Sequence, residues 1–259
     1  MTTETVLITG ASAGIGREMA RQFAAEKSKL VLVARRRERL EELAADLRKQ
    51  QGVEVHVLAE DLGRAGASQA IVDRLTRDGV TIDVLVNNAG FGLLGPVAEL
   101  DVHRQMEMIQ VNVAALTHLT RLLLPAMIER RRGGILNVAS TAGFQAGPFM
   151  AVYYATKAYV ISFSEALANE LAGTGVTVSC LCPGPTATEF AETAKMGNAL
   201  LFRLQTMTAQ QVARVGHHSF RRGKLLVVPG WINYLSTMGV RFVPRSMARG
   251  IVKRLQWDQ

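Results

Sequence analysis

Tyr153 and Lys157 are the residues whose types and spacing are best suited to acid–base chemistry. They stand four positions apart, which in a helix places both side chains on one face, one turn apart. A free tyrosine has a pKa near 10, and a neighbouring ammonium group favours the phenolate, so Lys157 is expected to lower the pKa of Tyr153. Ser140, thirteen residues before Tyr153, could fix a carbonyl oxygen against this phenol. Tyr154 has alanine rather than lysine four residues on and is interpreted as a packing residue.

A glycine-rich segment near the N-terminus is suited to holding a phosphate. It follows the apolar run 6–9, which predicts a short buried strand, and a helix is predicted to begin near Ile15. Glycines let the backbone approach a pyrophosphate, and a helix N-terminus offers N–H groups and a favourable dipole. The spacing is G-x-x-x-G-x-G rather than G-x-G-x-x-G, and a tight turn with positive φ is the alternative. The residues concerned are Gly10, Ser12, Ala13, Gly14, Ile15 and Gly16.

Apolar runs of strand length alternate with amphipathic runs of helix length along the chain. This alternation predicts the α/β class: a single-domain, Rossmann-type, doubly wound parallel sheet of about seven strands with helices on both faces. No linker or repeat interrupts the pattern, so residues 1–259 are predicted to form one domain. Long helices are predicted at 101–131 and 150–172. Strands are predicted near 5–9, 29–34, 53–58, 82–87, 134–139, 176–181 and 224–228.

Taken together, these features resemble the short-chain dehydrogenase/reductase family from about Val6 to Thr188. The motifs occur in the order that the family has. They are the glycine loop, Asp61 after the third strand, Asn87-Asn88-Ala89-Gly90 after the fourth, Asn112 in a long helix, Ser140 after the fifth, Tyr153 to Lys157, and Pro183-Gly184 with Thr186 and Thr188.

The resemblance implies a reaction and a catalytic set. Tyr153 would protonate the substrate carbonyl as the nicotinamide delivers hydride to its carbon. Lys157 would lower the pKa of that phenol and hydrogen-bond the nicotinamide ribose. Ser140 would hold the developing alkoxide, and Asn112 would anchor a water molecule of a proton relay. Taken singly, Asn112 could instead satisfy buried backbone groups and Ser140 could cap a turn.

The resemblance also implies a cofactor site. Thr188 and the backbone of Thr186 would bind the carboxamide, Asp61 would meet the adenine amino group, and Asn87 would brace strand ends. Beyond the glycine loop, the implied cofactor contacts are Arg35, Arg36, Asp61, Leu62, Asn88, Ala89, Gly90, Tyr153, Lys157, Pro183, Gly184, Thr186 and Thr188.

The residues after the second predicted strand indicate which dinucleotide is preferred. Arg35, Arg36 and Arg37 follow Ala34, where an NAD-preferring fold usually carries an acid for the ribose 2′-hydroxyl. The planar fork of arginine suits a phosphate, so Arg35, with Arg36 second, is predicted to bind the 2′-phosphate of NADP(H). A solvated basic helix start is the alternative. Arg35→Ala is expected to weaken NADPH much more than NADH, and equal Michaelis constants for both cofactors in the unmodified enzyme would contradict the assignment.

Composition favours one intracellular domain. The chain has 259 residues, of which 48% are hydrophobic. It has neither an apolar run approaching the length of a membrane span nor a signal-peptide pattern, so a cytoplasmic protein is predicted. Cys180 and Cys182 would share one face of a strand as small core side chains. Neither this pair nor His217-His218 has metal-site spacing, and no metal is predicted.

Positive charge is concentrated in the C-terminal quarter. Residues 193–259 hold eleven Lys or Arg and one acid, Asp258, a net charge of +10 in a chain whose total is +8. Such a region attracts anions, either a coenzyme A or acyl-carrier-protein substrate or an anionic membrane surface to which the protein would bind peripherally. A solubilising face is the alternative. Nucleic acid is not expected, because no binding motif is present.

Two segments follow the motifs, and the first of them is expected to cover the substrate. A lid is predicted at about 188–222. Its apolar side chains indicate an apolar pocket, or else simply a core-facing helix. A basic extension at about 231–259 has an amphipathic pattern, and would pack on the domain, contact a second subunit, or lie at a lipid surface with Trp257 at the interface. The apolar residues are Phe190, Met196, Leu200, Leu201, Phe202, Leu204 and Met207 in the lid, Phe91, Phe144 and Phe149 beside it, and Met247, Ile251, Val252 and Leu255 in the extension.

The sequence therefore predicts an NADP-dependent oxidoreductase that interconverts a ketone and a secondary alcohol. The predicted substrate is a small molecule of apolar or acyl type, and the predicted assembly is a homodimer or homotetramer. A 3-oxoacyl thioester reductase is the alternative enzyme. A non-catalytic NADP-sensing or interaction protein is the alternative of another class, and the complete set Asn112, Ser140, Tyr153 and Lys157 argues against it.

Overall fold

The sheet at the centre of the fold is entirely parallel. The computed structural model describes residues 3–189 and 206–256. Within them the strands are β1 (Thr5–Thr9), β2 (Lys29–Ala34), β3 (Val55–Ala59), β4 (Val84–Asn87), β5 (Gly133–Val138), β6 (Val176–Leu181), β7 (Thr186–Ala187), β8 (Met207–Thr208) and β9 (Leu226–Val227). Seven of these form one sheet in the order β3-β2-β1-β4-β5-β6-β9, and β7 pairs separately with β8.

Helices connect the strands and cover both faces of the sheet. They are α1 (Gly14–Ala25), α2 (Arg37–Gln51), α3 (Ala67–Arg77), α4 (Val102–Ile109), α5 (Leu116–Glu129), α6 (Ala151–Glu170), α7 (Ala209–Arg221), α8 (Trp231–Gly239) and α9 (Arg245–Gln256). A π-helical segment, Gln110–Ala115, joins α4 to α5, and short 3₁₀ turns cover Thr141–Phe144 and Val240–Phe242. The fold predicted from the sequence is confirmed, with strand ends within about two residues of those expected.

Alternate residues of β1 point to opposite faces of the sheet and so belong to two different cores. Val6 and Ile8 pack with residues of α1, α2 and α7. Leu7 packs with residues of α3, α5 and α6. Since every residue of β1 and β4 is buried, the near-continuous apolar sequence of these two central strands is accounted for.

The strand order reverses at β1. From β1 the chain proceeds outward through β2 and β3 on one side and through β4, β5 and β6 on the other. A crevice therefore opens between the loops that follow β1 and β4, at the carboxyl edge of the sheet. In open parallel sheets this is where ligands bind.

One helical stretch, Val102–Glu129, is long and apolar enough to cross a membrane by length and composition alone. In this fold Leu119 and Met127 of that stretch are fully buried against the sheet. A core helix passes the same test, so the stretch carries no argument for a membrane span.

Candidate active site

A pocket of about 980 Å³ occupies the crevice at the carboxyl edge of the sheet. Its floor includes the glycine loop after β1 and the residues that follow β4, β5 and β6. Its outer wall comes from α8, α9 and the turn between them. All but two of the residues predicted for catalysis and cofactor binding line it. The exceptions are Gly16, which packs against Gly10 and Asn88, and Asn112, which hydrogen-bonds the backbone of Phe91.

The glycine loop is held to the end of β4 by a network of partly buried hydrogen bonds. The Thr9 hydroxyl accepts from the backbone N–H of Asn88 (2.9 Å) and of Ala89 (3.0 Å). The Asn88 amide donates to the carbonyls of Thr9 (2.9 Å) and Gly10 (3.3 Å). Asn88 thus faces the loop backbone and fixes the width of the crevice.

Two glycines are required for this arrangement. Gly10 has a φ of +65°, a conformation that residues with a Cβ rarely adopt. A Cβ on Gly16 would lie 2.4 Å from both the Asn88 Nδ2 and the Gly10 carbonyl oxygen. Gly16 therefore contributes by allowing helix α1 to approach the loop closely.

Tyr153 lies on the first turn of α6 with its side chain in the pocket wall. Its phenol hydrogen-bonds the Ser140 side chain. The Ser140 hydroxyl also donates to the Pro183 carbonyl (3.3 Å) and accepts from the backbone N–H of Ala142 (3.1 Å). Ser140 therefore both caps the turn after β5 and contacts the phenol, so the structural and the catalytic interpretations of this residue are compatible.

Burial raises the pKa of Tyr153 to about 12, and the hydrogen bond with Ser140 offsets only part of that rise. The lowering of this pKa by Lys157 stays a prediction, and in this structure burial has the larger effect on the phenol. The Lys157 Nζ lies 5.8 Å from the centre of the Tyr153 ring and donates to the Val138 carbonyl at 2.9 Å. Burial also lowers the pKa of Lys157 to about 8, which weakens the positive charge near the phenol.

Asn112 sits in the π-helical segment between α4 and α5 and is fully buried. Its side chain accepts from the Phe91 N–H (3.1 Å) and donates to the Phe91 carbonyl (3.0 Å) and the Thr156 hydroxyl (3.1 Å). The Thr156 hydroxyl in turn donates to the Tyr153 carbonyl at 2.7 Å. Asn112 thus ties the loop after β4 to the helix that carries the phenol, a positioning role that the sequence left open.

Arg35 and Arg36, which follow β2, line the pocket, and each of them contacts a carboxylate. Arg35 lies 3.4 Å from the Glu107 carboxylate. Arg36 pairs with Glu189 at 2.8 Å and donates to the Ser12 hydroxyl in the glycine loop at 3.3 Å. Arg39, which was not predicted, also contacts Glu189. A cluster of basic side chains that draws in carboxylates at this rim has the charge and donor geometry for a phosphate.

The remaining predicted cofactor residues surround the same cavity. The Asp61 carboxylate accepts from the Gly63 N–H (3.0 Å), which shapes the turn after β3. The Thr186 hydroxyl donates to the Gly184 carbonyl (2.9 Å) and that of Thr188 to the Thr186 carbonyl (3.4 Å). The other predicted members that line the pocket are Ala13, Gly14, Ile15, Leu62, Ala89, Gly90 and Pro183.

The C-terminal extension supplies an apolar wall of the pocket that the sequence did not assign to the site. Ala248 and Val252 of α9 are buried, and Val252 packs in one cluster with Met150, Tyr153 and Tyr154. The sequence signal was the apolar stripe of the amphipathic pattern, which included Val252 but left open whether the helix packs on the domain, contacts a second subunit or lies at a lipid surface. Other lining residues of this wall are Ile232, Ser236, Thr237, Val240, Val243 and Ile251.

The predicted lid is described only in part. Residues 190–205, which include most of its apolar side chains, lie outside the described residues. The described helix α7 packs against α1, with Phe220 in the core. Of the three flanking phenylalanines, Phe91 lines the pocket, whereas Phe144 packs beneath it and Phe149 lies 5.9 Å from the Lys253 Nζ.

Neither the two cysteines nor His217 lines this pocket. Cys180 and Cys182 are buried with their sulfur atoms 3.8 Å apart. His217 packs edge-on to Phe23 between α7 and α1 and lies 3.2 Å from Glu26. In residues 3–189 and 206–256 no group of three His, Cys, Asp or Glu side chains could hold a metal ion.

Comparison with known proteins identifies related sequences and the same fold. The sequence profile described as short chain dehydrogenase matches residues 4–198. A very-long-chain 3-oxoacyl-CoA reductase from Anas platyrhynchos is 35% identical over 195 residues, which cover 73% of this chain and 62% of that enzyme. The matched region is thus under two thirds of that relative's length.

Solved structures resemble nearly the whole chain. A short-chain dehydrogenase from Sphingobium yanoikuyae in complex with NADPH has a TM-score of 0.83 and 33% identity, covering 99% of this chain and 98% of its own. A short-chain dehydrogenase/reductase from Burkholderia phymatum in complex with NAD has a TM-score of 0.81 and 26% identity, covering 99% and 97%. Both nicotinamide cofactors therefore occur among the neighbours.

Proposed function

The chain belongs to the short chain dehydrogenase family of oxidoreductases, and on that premise we propose that it uses NADP(H) to interconvert a ketone and a secondary alcohol. The observation that carries the proposal is the hydrogen bond between Ser140 and the Tyr153 phenol, inside a pocket that the glycine loop also lines. A proton donor and a dinucleotide cradle thus share one cavity.

The pocket residues fit a nicotinamide dinucleotide. Gly10 and Gly16 let the end of β4 and helix α1 pack closely against the loop, and the loop backbone then lines the pocket where a pyrophosphate would lie. The first turn of α1 carries no acidic side chain that would repel the phosphates. When bound, the reduced cofactor supplies the hydride. The residues proposed to hold it are those of the loop, the end of β4, Tyr153, Lys157 and the segment 183–188.

The arginines support NADP(H) over NAD(H). Arg35 and Arg36 both line the pocket at the rim where a 2′-phosphate would lie, and Arg36 bridges to Ser12. The contacts with Glu107 and Glu189 would have to give way to the phosphate. A doubly charged phosphate is a stronger acceptor for a guanidinium fork than a carboxylate, so this exchange favours the phosphorylated cofactor.

The catalytic side chains are arranged to give a proton to a carbonyl oxygen. With a pKa raised to about 12, Tyr153 is protonated at neutral pH and so holds the proton that reduction needs. Ser140 provides a second hydroxyl for the oxygen on which negative charge develops. Lys157, held by Val138, lies close enough to stabilise the phenolate left after transfer.

The wall opposite the glycine loop supports an apolar substrate. Met150, Val240, Val243, Ala248 and Val252 contribute aliphatic surface to the cavity. Polar side chains are confined to a few positions around the phenol and along α8, as in sites where polar groups orient an apolar ligand. We therefore expect ketones with long or alicyclic substituents rather than sugars.

A second candidate is reduction of 3-oxoacyl thioesters. The 35% identical relative described above is a 3-oxoacyl-CoA reductase, and the basic C-terminal region has the charge to attract a phosphopantetheine carrier. In this case activity on acyl thioesters would greatly exceed activity on free ketones.

The experiment that tests the proposal is a screen of NADPH oxidation against ketones of graded chain length, ring ketones and 3-oxoacyl thioesters. We expect NADPH-dependent turnover that increases with apolar size and is lost in Tyr153→Phe but kept in Tyr154→Phe. Faster turnover with sugars than with apolar ketones would contradict the substrate class, and equal kcat/KM with NADH would contradict the cofactor.

A further inference from the structure

The outer sides of helices α8 and α9 expose an unusual number of large apolar side chains. Of the fourteen large hydrophobic residues that are exposed in residues 3–189 and 206–256, seven lie between Trp231 and Ile251. Trp231 is 72% exposed and Phe242 is 83% exposed. We name this set, together with the basic residues between them, the C-terminal surface; its apolar members are Trp231, Ile232, Tyr234, Leu235, Phe242, Met247 and Ile251.

Most of these apolar side chains are not explained by the pocket. The inner sides of the two helices face the cavity through residues such as Thr237 and Val252. Ile232 and Ile251 lie at its edge, whereas Trp231, Tyr234, Leu235, Phe242 and Met247 do not line it. On α8 the exposed apolar residues recur at three- and four-residue steps, which defines a continuous stripe on the side away from the core. A stripe of this kind requires a partner.

The same surface carries unopposed positive charge. Residues 231–256 include Arg241, Arg245, Arg249, Lys253 and Arg254 and no acidic residue. No carboxylate of a described residue forms an ion pair with any of the five. By contrast, Arg221 on α7 is paired with both Glu4 and Glu26. Among the described residues, the local charge neutralisation that is common elsewhere is therefore missing on this surface.

This combination of side chains decides between the kinds of partner. Arginine next to tryptophan and tyrosine suits a phospholipid headgroup region, where aromatic rings lie at the boundary and basic groups meet phosphates. A second copy of this chain meeting the same surface across a two-fold axis would place five positive charges against five others, which is unfavourable. Nucleic acid would leave the apolar stripe uncovered.

We propose that the C-terminal surface docks on an anionic phospholipid membrane. The aromatic and aliphatic side chains of α8 and of the turn after it enter the headgroup boundary, and the arginines bind lipid phosphates and carboxylates. Since the inner sides of the same helices form the pocket wall, docking places that wall beside the lipid. The proposal concerns the surface alone and stands whichever substrate the enzyme reduces.

The test is vesicle flotation of the full-length protein with saturating NADPH. Vesicles of phosphatidylcholine alone are compared with vesicles that also contain phosphatidylserine. We expect binding to the anionic vesicles only, and a fall as salt is raised. In the variant Arg241→Gln/Arg245→Gln/Arg249→Gln, partitioning should weaken by about a hundredfold, since each basic residue near the surface strengthens binding roughly fivefold. The control Lys49→Gln/Arg64→Gln/Arg77→Gln removes three exposed charges elsewhere and should bind as the unmodified protein does.

A second variant tests the apolar part of the surface. Trp231→Ser/Phe242→Ser should lose at least tenfold in partitioning while thermal unfolding stays unchanged, because both side chains are largely solvated. Absence of binding to anionic vesicles would overturn the proposal, as would equal weakening by the control triple variant. It would also be overturned if mass photometry found that Trp231→Ser/Phe242→Ser dissociates a dimer without changing vesicle binding, since the surface would then be a subunit contact.

Discussion

Replacing Val252 by alanine isolates the contribution of the C-terminal helix to the pocket. The side chain is buried and packs in one cluster with Met150, Tyr153 and Tyr154. Two methyl groups are removed, at about 0.8 kcal/mol each, so the free energy of unfolding should fall by about 1.6 kcal/mol. The added cavity cost seen at enclosed sites should be small, because Val252 already borders a cavity. For a ketone whose apolar group reaches this wall, the same loss corresponds to a roughly fifteenfold lower kcat/KM.

The assay combines denaturant unfolding with kcat/KM for a series of ketones of increasing size. Val178→Ala is the matched control, since this buried valine of β6 packs in a different cluster, with residues of α3, α5 and α6, and does not line the pocket. We expect both variants to lose stability but only Val252→Ala to lose kcat/KM, and only for the larger ketones. The assignment of α9 to the substrate wall would be refuted if Val252→Ala changed kcat/KM by the same factor for small and large ketones. It would also be refuted if Val178→Ala lowered kcat/KM as much as Val252→Ala does.

Three further predictions concern the cofactor site and the buried lysine. Arg36→Ala should weaken NADPH binding in a fluorescence titration by about ten- to a hundredfold, as expected for a lost charged hydrogen bond, and should change NADH binding little. Arg37→Ala is the control, because the Arg37 side chain is outside the pocket. Equal losses of affinity for the two cofactors in Arg36→Ala would contradict the prediction. Gly16→Ala should lower the free energy of unfolding by about 1–3 kcal/mol, because the added Cβ would clash with Asn88 and Gly10. Gly250→Ala is the control and should not lower it, since an added Cβ there meets open space. Similar thermal shifts for both variants would argue against the close approach of α1. Burial lowers the pKa of Lys157 from 10.5 to about 8. Between pH 8 and 10.5 the unfolded state therefore binds one more proton than the folded state, and the free energy of unfolding rises with pH. Relative to Lys157→Met, the unmodified protein should gain up to about 1.4 kcal/mol per pH unit in this window, and a stability difference that does not change with pH would exclude the lowered pKa.

Local patterns in the sequence were sufficient for the architecture. Apolar runs such as 29–34 and 176–181 correspond to strands with the same ends, because strands that are buried mostly on both faces are predominantly apolar and contrast with the polar residues around them. The predicted helix 101–131 is correct in extent, but the π-helical segment that carries Asn112 was not predicted. A π-helical turn is stabilised by contacts with other elements, here with Phe91 and Thr156, and has no local signature.

Properties that depend on distant contacts were beyond the sequence. The spacing of Tyr153 and Lys157 placed them on one face of α6, but the spacing could not indicate that Lys157 would be held by Val138 or that burial would dominate the pKa of the phenol. Likewise, the basic residues after β2 were identifiable, whereas Arg39 joins them through Glu189, 150 residues further along the chain. The folding of α9 over the pocket is a long-range contact of the same kind.

The central claim is that the Tyr153 phenol delivers the proton to the carbonyl oxygen. Single-turnover oxidation of NADPH by a reactive ketone, compared between Tyr153→Phe and Tyr154→Phe, tests it most directly because the two rings are neighbours, 6.1 Å apart, and both line the pocket. We predict that Tyr153→Phe binds NADPH normally but loses hydride transfer by at least about a hundredfold, as for removal of a general acid, while Tyr154→Phe stays within a few-fold of the unmodified enzyme. Retention of the rate in Tyr153→Phe, or its loss in Tyr154→Phe alone, would contradict the account.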